Sequence, residues 1–305
     1  MLYWFSVNPS CSEILLFVIL RIAMLTNPAV EWISCPYCHA NDPKPWVVEN
    51  GYTAVQCRGC RLVYVNPRPV SSLIADGVET GQHNDVVGGK VVIGSRVARK
   101  VWSFRRVLRR MYRDVWNADR AISWLDIGAG FGEVVEAVQS IAPRGSRVQG
   151  IEPMRPKAQH AQTHRLDVQC GYLDAVKEKY QFASLINVFS HIPDFRPMLL
   201  QIKERLEPRG EFFFVTGNIA DLNSSRDVPT ELDLPDHLVF AGEHHLRGYL
   251  DEAGFECLQI ERTRPDTIIN LAKQLVHKTR GKNVSIVIPY TSGCRSLRIR
   301  ARLKN

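Results

Sequence analysis

Four cysteines in two close pairs are the residues of this chain best suited to hold a metal. Cys35 and Cys38 form one C-x2-C pair, and Cys57 and Cys60 form another after eighteen intervening residues. This spacing is typical of structural zinc sites, where four thiolates complete a tetrahedron and leave no open position for a substrate. Two redox motifs are the alternative, but neither pair adjoins a βαβ pattern. We therefore predict a zinc ribbon carrying a structural Zn²⁺.

A glycine-rich turn is the second feature that could bind a ligand. The sequence reads ISWLDI, then GAGFG at 128–132, then EVVEAV, which predicts a buried strand, a turn and a helix. A dinucleotide fingerprint needs glycine at position 133, where Glu133 stands. That carboxylate is also a poor neighbour for a pyrophosphate at a helix N-terminus. With Asp126 at the strand end, the pattern favours a cofactor that carries an ammonium and an adenosine but no phosphate.

An acid at the end of the next predicted strand supports this interpretation. Glu152 follows the strand at 147–151 and lies twenty residues after Gly132. A carboxylate at this point can accept hydrogen bonds from both hydroxyls of a ribose.

Taken together, these motifs resemble class I S-adenosylmethionine-dependent methyltransferases. The matching segments run in the order of that family and cover about residues 122–260: WLDIGAGFGE, VQGIEPM, SLINVFSHIPD, LEPRGEFFFVTGN and DHLVFAGEHHLRGYLDEAGFE. The segment CPYC…CRGCRLVYVNPRP resembles the zinc ribbon that precedes this domain in a bacterial subgroup of the family. Relatives there look like modifiers of sugars, lipids and other small metabolites.

The resemblance implies roles for residues on the first two strands. Gly128, Gly130 and Gly132 would let the backbone approach the methionine part of S-adenosylmethionine. Asp126 would support the loop and help to hold the cofactor amine, and Glu152 would bind the ribose.

Further roles follow on the next strands. Met154 would pack on the adenine or simply belong to the core, and Asp174 would contact the adenine amine or cap a helix. Asn187 through His191 would form the floor beneath the transferred methyl group. The chain departs from the family where Gln181 replaces a usual acid, and Ser190 stands where the family often has glutamate. Any catalytic role borrowed from relatives is therefore in doubt.

Histidines are the candidate bases. Methyl transfer depends mainly on positioning, but a hydroxyl or carbon nucleophile also needs a base. We single out His191 after strand 4 and His237 on the connection after strand 5, with Asp236 as a residue that could orient His237. His244 and His245 begin a helix, so one of them is expected only to cap or pack.

These motifs require an α/β fold, namely a doubly wound, mostly parallel, seven-stranded Rossmann-like sheet preceded by a small zinc ribbon. In a final strand pair at 256–262 and 296–303, Arg298, Arg300 and Arg302 alternate with apolar residues. This alternation predicts an edge strand with one wet face. The domain boundaries we expect are an extension at 1–34, the ribbon at 35–70, a linker with a basic helix at 71–120 and the methyltransferase domain at 121–305.

The linker has two parts. Residues 77–94 are rich in glycine and polar residues and predict a loop, whereas apolar residues recur at helical steps from Val97 to Val115. Basic residues fill the other face of this helix. It is either a lid that faces the cofactor or an amphipathic helix packed beside the first strand, and we favour the second.

Composition excludes a disordered or fibrous chain. Hydrophobic residues make up 45% and charged residues 23% of the 305 residues, and the net charge is +8. The basic excess lies at 96–113 and from Lys273 onward, where it can attract nucleic acid, an anionic membrane or an anionic substrate. A solvated helix face and a basic terminus are the plainer explanation.

The N-terminus carries the run ILLFVIL at residues 14–20, far short of the ~20 residues that span a bilayer. Residues 1–13 have no Lys or Arg, and no A-x-A site follows, which argues against a signal peptide. A weak anchor, a packed helix or sequence upstream of a true start at Met24 remain, and we favour the last. The paired cysteines suit a reducing compartment, so we expect a cytoplasmic protein.

We thus expect a methyltransferase that acts on a small-molecule, sugar or lipid-like acceptor, and we expect oxygen to be the methylated atom. One alternative is an RNA or protein methyltransferase in which ribbon and basic helix bind a macromolecule. Nucleic acid is the less expected partner because the ribbon has only Arg58 and Arg61 near its second cysteine pair. A non-catalytic scaffold that keeps the cofactor fold is a second alternative.

Overall fold

The computed structural model describes residues 29–83, 90–91, 93–228, 231–265, 267–281, 286 and 288–304. The apolar run at 14–20 and Met24 lie outside the described residues. Among the helices that are described, none is both long and apolar enough to cross a membrane.

Fifteen strands and eight α-helices are described. The strands are β1 (Val30–Glu31), β2 (Pro43–Glu49), β3 (Tyr52–Cys57), β4 (Val63–Val65), β5 (Arg68–Pro69), β6 (Gln82–His83), β7 (Lys90–Val91), β8 (Ser123–Ile127), β9 (Arg147–Glu152), β10 (Val168–Cys170), β11 (Tyr180–Ile186), β12 (Leu206–Gly217), β13 (Val239–Phe240), β14 (Phe255–Thr263) and β15 (Ser296–Leu303). The helices are α1 (Ser71–Thr80), α2 (Ala98–Met111), α3 (Arg113–Asn117), α4 (Glu133–Gln139), α5 (Arg155–Thr163), α6 (Phe195–Glu204), α7 (Glu243–Glu252) and α8 (Ile268–Thr279).

The main sheet has the strand order β10-β9-β8-β11-β12-β15-β14. The first five strands are parallel, and β15 runs antiparallel to both of its neighbours. The predicted seven-stranded α/β sheet is confirmed. Because parallel strands end at one edge, the residues after β8, β9 and β11 converge there, which is where such sheets bind ligands.

The predicted edge strand is wrong. β15 lies between β12 and β14, so β14 forms that edge of the sheet. Arg300 is only 7% exposed and its guanidinium bonds to Glu211 and Asp114, while Arg302 bonds to Glu211. The alternating arginines are thus paired inside the structure, because buried guanidinium groups are tolerated when carboxylates satisfy their donors.

Two apolar cores cover the faces of the sheet. One joins α2, α4 and α5 to the sheet around Trp124. The other contains α6 and α7 and runs without interruption into the ribbon residues Leu62–Val65. Within α2, Val107, Leu108 and Met111 are buried, as the helical pattern predicts. The expected loop at 77–94 is wrong at its start, because α1 continues to Thr80.

The ribbon is built on β2, β3 and β4, which pair antiparallel. Its sheet gains a fourth strand from far along the chain, since Val239 and Phe240 of β13 pair with Tyr64 and Val63 of β4. The ribbon is therefore continuous with the main domain in both sheet and core.

Candidate active site

The turn after β8 has the backbone that its glycines allow. Gly128, Gly130 and Gly132 have φ values of +68°, +56° and +81°. A Cβ on Gly128 would lie 2.5 Å from Val188, and one on Gly132 would lie 2.5 Å from Leu166. No heavy atom lies within 4 Å of a Cβ built on Gly130. Two glycines thus serve close packing, and Gly130 faces open space in a cleft.

This opening, which we call the glycine-loop cleft, lies at the carboxyl edge of the sheet. Its walls come from the turn itself, from the start of α2 and from the end of β11, and include Asp126, Gly130, Phe131, Lys100, Lys157 and Asn187. Lys100, Phe131 and Lys157 were not predicted from the sequence. The predicted basic helix could have indicated Lys100 as a site residue, since it contains this lysine. No sequence pattern indicates Lys157.

The first turn of α2 is held against the glycine turn. The Val97 N–H donates to Oε1 of Glu133 at 3.0 Å, and Arg96 forms an ion pair with Glu136. The second half of α2 packs in the core, as favoured from the sequence, and Lys100 near its beginning lines the cleft. A role of α2 as a lid stays a prediction.

Asp126 is buried at the floor of this cleft. Its Oδ1 accepts a hydrogen bond of 2.5 Å from Ser184, whose Oγ accepts one of 2.9 Å from the Trp124 indole. Burial raises the pKa of Asp126 to about 7, against the Ser184 hydrogen bond, and the charges of Glu152 and Glu133 raise it further. A nearby ammonium would favour the carboxylate form.

Glu152 binds the backbone of the turn. Its two carboxylate oxygens accept hydrogen bonds from the N–H groups of Gly130 at 2.7 Å and Met154 at 3.0 Å. The structure therefore brings Glu152 to the glycine turn, and its ribose contact stays a prediction. Glu152 and Met154 are 6% and 4% exposed, Asp174 is exposed, and none of the three lines the glycine-loop cleft.

A second opening, the His237 cleft, meets the first at Asn187. Asn187 lines both clefts and holds a left-handed backbone with φ of +57°. The other walls of the His237 cleft combine polar groups with apolar ones: Ser190, Thr216, Glu231, His237, Arg295, Ile219, Val228, Leu232, Val239 and Phe240. Groups bound in the two clefts would thus adjoin at Asn187.

The protonation of His237 follows from its partner. Nδ1 lies 2.7 Å from the carbonyl oxygen of Leu232, which accepts only, so Nδ1 carries the proton and Nε2 is the acceptor. Burial, with repulsion from His191, lowers the pKa of His237. A neutral imidazole with a free acceptor nitrogen can take a proton from a hydroxyl.

His191 has a different environment. Its Nδ1 lies 2.9 Å from the carboxylate of Asp236 and 2.9 Å from the Asp236 carbonyl oxygen. Burial alone would lower the pKa of His191, but the hydrogen bond and charge of Asp236 outweigh it and raise the pKa. The expectation that Asp236 orients His237 is thus corrected, since this carboxylate holds His191. His191 also lines a small separate cavity against α1, with Leu73.

The other two candidate histidines, His244 and His245, make structural contacts. His245 is fully buried, its Nδ1 accepts the Gly242 N–H at 3.1 Å, and burial together with His244 lowers its pKa to about 3. His244 contacts the ribbon, with Nε2 3.2 Å from the carbonyl oxygen of Cys60. The expectation of capping is met by His245.

The four predicted zinc ligands converge. The sulfurs of Cys35, Cys38, Cys57 and Cys60 lie within 4.8 Å of one another, with Cys35–Cys60 and Cys38–Cys57 at 3.5 Å. Zn–S bonds of ~2.3 Å in a tetrahedron place sulfurs about 3.8 Å apart. Burial raises the pKa of Cys35 to about 11, and a bound divalent cation would favour its thiolate form. The donor set fits a structural zinc ion.

The ribbon also holds the loop that carries His237. Glu49, at the end of β2, accepts hydrogen bonds from the N–H groups of Leu232 at 2.8 Å and Leu234 at 3.1 Å. Asn50 donates to the Leu234 carbonyl at 2.7 Å. These contacts have no signature in the sequence, because their partners are backbone groups more than 180 residues away.

Comparison with known proteins agrees with this geometry. A family model described as "Methyltransferase domain" matches residues 101–260, just over half of the chain. A ubiquinone biosynthesis O-methyltransferase of Idiomarina loihiensis is 27% identical over 104 residues, which are 31% of this chain and 42% of that protein. The chain therefore spans about two fifths of this curated relative.

A solved structure shares the fold. It is a putative sarcosine dimethylglycine methyltransferase from Galdieria sulphuraria, with a TM-score of 0.52 and 15% identity over 70% of this chain and 93% of the other.

Proposed function

The chain belongs to the methyltransferase-domain family, and on that basis we propose that it transfers a methyl group from S-adenosylmethionine to a hydroxyl of a small, lipid-like acceptor. One observation carries the proposal: the glycine-loop cleft and the His237 cleft meet at Asn187. A cofactor in the first and an acceptor in the second would place their reacting groups side by side, which is the main requirement of methyl transfer.

The residues of the glycine-loop cleft suit the cofactor. Gly130 leaves room for its backbone to approach, and Asp126 would pair with the ammonium group. Lys100 and Lys157 add positive charge to the walls for a carboxylate. Glu152 would bind the ribose with the lone pairs that its two backbone contacts leave unused. Met154 and Asp174 stay candidates for the adenine end. Gly128 and Asn187 line the cleft, and Gly132 allows the turn to pack against Leu166.

On the acceptor side, His237 is the proposed base. S-adenosylmethionine supplies an electrophilic methyl group when bound. Nε2 of His237 would take the proton of the acceptor hydroxyl while the methyl passes from sulfur to the acceptor oxygen and S-adenosylhomocysteine leaves. The Leu232 carbonyl would hold the ring in the required tautomer. His191 and Asp236 act as a charged pair beside this base, with the ring of His191 4.6 Å from that of His237.

Two observations support an oxygen-bearing, lipid-like acceptor. Five aliphatic or aromatic side chains line the His237 cleft: Ile219, Val228, Leu232, Val239 and Phe240. A base is needed for a hydroxyl, whereas positioning alone serves an amine that is already neutral. The name of the curated relative, an O-methyltransferase, is in line with this choice.

The ribbon would bind a structural zinc ion and position the acceptor loop. This role favours a small acceptor over RNA or protein, because the ribbon uses Glu49 and Asn50 on the body of the same chain. The thiolates that bind zinc also suit a reducing compartment such as the cytoplasm.

Two experiments test the proposal. Calorimetry measures the binding of S-adenosylmethionine, and a transfer assay then measures labelled methyl in lipid, small-metabolite, RNA and protein fractions. We expect cofactor binding and label in an organic-extractable small product. Label in RNA or protein would favour a macromolecular substrate, and absent cofactor binding would favour a scaffold.

A further inference from the structure

Helix α8 exposes its apolar side. Ile268 and Ile269 are 68% and 66% exposed, and Leu275 and Val276 are each 47% exposed. These positions are spaced i, i+1, i+7 and i+8, so they lie on one face of the helix. A helix that packed in the usual way would bury this face. We call these four residues the α8 stripe.

The opposite side of α8 is polar and faces the protein. Gln274 is 5% exposed, and Asn270 and His277 are half-buried. The Asn270 side chain donates to the Pro265 carbonyl, and Thr267 caps the helix by accepting the Asn270 N–H at 3.4 Å. The burial of Gln274 places the polar side of α8 toward the protein and leaves the apolar side outward.

Basic residues flank the α8 stripe. At 100° per residue, Lys273 and Arg280 lie on one side of the stripe and Lys278 lies on the other. All three are exposed, and no ion pair joins them to an acid within the part of the chain that the structure describes. No Asp or Glu follows Asp266 in the sequence. An apolar centre with basic flanks is typical of helices that lie in the plane of a membrane surface.

The segment that follows α8 in the sequence also exposes apolar side chains. Ile286, Ile288 and Tyr290 are 41%, 66% and 59% exposed. Seven of the fifteen large apolar side chains that are exposed among the described residues fall within positions 268–290. The exposure is therefore concentrated in this segment rather than scattered.

We propose that α8 docks this protein on an anionic phospholipid surface. A second copy meeting α8 through the same face would bring basic flanks together, and like charges oppose such pairing. Anionic headgroups instead complement Lys273, Lys278 and Arg280 while the α8 stripe enters the acyl boundary.

The docked helix lies beside the His237 cleft. Pro265, three residues before α8, lines that cleft together with Arg295 and Ser296 at the start of β15. Docking through α8 would place this side of the protein at the membrane, from which a lipid-like acceptor can enter. The docking itself does not depend on methyl transfer.

Sedimentation of the full chain with vesicles tests the proposal. We expect binding to phosphatidylcholine vesicles that contain phosphatidylglycerol, weaker binding to phosphatidylcholine alone, and weakening by salt. The double variant Ile268→Ser/Ile269→Ser should bind at least about tenfold more weakly, because it removes two large apolar side chains from the contact. Lys273→Gln/Lys278→Gln should lose the preference for phosphatidylglycerol. Val48→Ser changes a side chain 69% exposed on the ribbon and should bind like the wild type.

Four outcomes would overturn the proposal. The full chain could stay in solution with the anionic vesicles, or Ile268→Ser/Ile269→Ser could bind like the wild type. Leu16→Ser/Ile19→Ser could abolish binding while the α8 variant retains it, which would assign docking to the N-terminal run. Sedimentation velocity could show a dimer that the α8 variant dissociates, without vesicle binding, which would assign the face to a second copy. Calorimetry with S-adenosylmethionine on the same samples reports separately on the proposed function.

Discussion

His191 and Asp236 form a close pair in which Nδ1 of His191 lies 2.9 Å from a carboxylate oxygen and 2.9 Å from the Asp236 carbonyl oxygen. This pair raises the pKa of His191 against the effect of burial, while burial and the neighbouring His191 lower the pKa of His237. The pKa values of two adjacent histidines are thus shifted in opposite directions. His191 is suited to hold charge and His237 to accept a proton.

This difference predicts the pH dependence of the reaction. A base acts in its neutral form, so the single-turnover rate should rise with pH through a pKa below the ordinary ~6.5 of histidine and level off above it. If His191 were the base, its raised pKa would place the same rise above ~6.5. His237→Asn should abolish most of the turnover, of the order of 10²–10⁴-fold, and keep cofactor affinity.

His191→Gln tests the coupling between the two rings. Removing the positive neighbour should raise the pKa of His237 and shift the rise in rate to higher pH, with turnover retained. His164→Asn, at an exposed histidine that lines neither cleft, is the matched control and should leave the profile unchanged. An unshifted profile in His191→Gln would contradict the assignment.

Asp126 predicts a second pH effect, on cofactor binding. Because its pKa is raised to about 7, part of the carboxyl is neutral at pH 7 and cannot pair with an ammonium. The affinity for S-adenosylmethionine should therefore rise as pH increases toward about 7 and level off above it. Ser184→Ala removes a hydrogen bond that lowers this pKa, so the rise should move to higher pH. Asp126→Asn should remove this pH dependence of the affinity. Calorimetry across pH measures the affinity of the wild type and of both variants.

The glycine turn allows packing to be separated from binding. Gly130→Val fills open space without a steric clash, so it should abolish most cofactor binding, and its cost to thermal stability is the strain of a β-branched residue at φ of +56°. Gly132→Ala would instead meet Leu166 at 2.5 Å and should lower the melting temperature more. Glu152→Ala should weaken binding at least about tenfold, since it leaves ribose hydroxyls and two backbone N–H groups without an acceptor. Equal affinities in the Gly130 variant and the wild type would exclude this turn as the cofactor site.

The contacts of the ribbon with the His237 loop predict that their loss affects binding of the acceptor but not binding of the cofactor. Glu49→Ala removes the acceptor for two N–H groups of the loop that carries His237, so the KM for the acceptor should rise while the Kd for S-adenosylmethionine stays constant. Glu204→Ala, on an exposed side chain of α6, is the control.

Loss of zinc should likewise disturb the ribbon and spare cofactor binding. The purified protein should contain about one Zn²⁺ per chain, and Cys57→Ser should release it, destabilise the ribbon and leave cofactor affinity largely intact. Metal-free protein by elemental analysis, with normal stability, would refute the zinc site.

The sequence predicts local features well and distant contacts poorly. The glycine turn, the cysteine spacing and helix α2 follow from residues close together in the chain, and all three are found as expected. The place of β15 depends on its partners β12 and β14, and the alternation of its arginines gave no sign that Glu211 and Asp114 would bury them.

The candidate site shows the same division. The cofactor side of the site is local, since Asp126 and Gly130 belong to one turn. The acceptor side is assembled from β11, the segment before β13 and the ribbon, so neither the Glu49 contacts nor the pairing of Asp236 with His191 has a sequence signature.

Transfer of a labelled methyl group from S-adenosylmethionine into an extract of the source organism, compared among wild type, Gly130→Val and His237→Asn, tests the central claim most directly. The account predicts label in an organic-extractable small product with the wild type and little or none with either variant, while only Gly130→Val loses cofactor binding. Undiminished transfer by both variants, or label confined to RNA or protein, would contradict it.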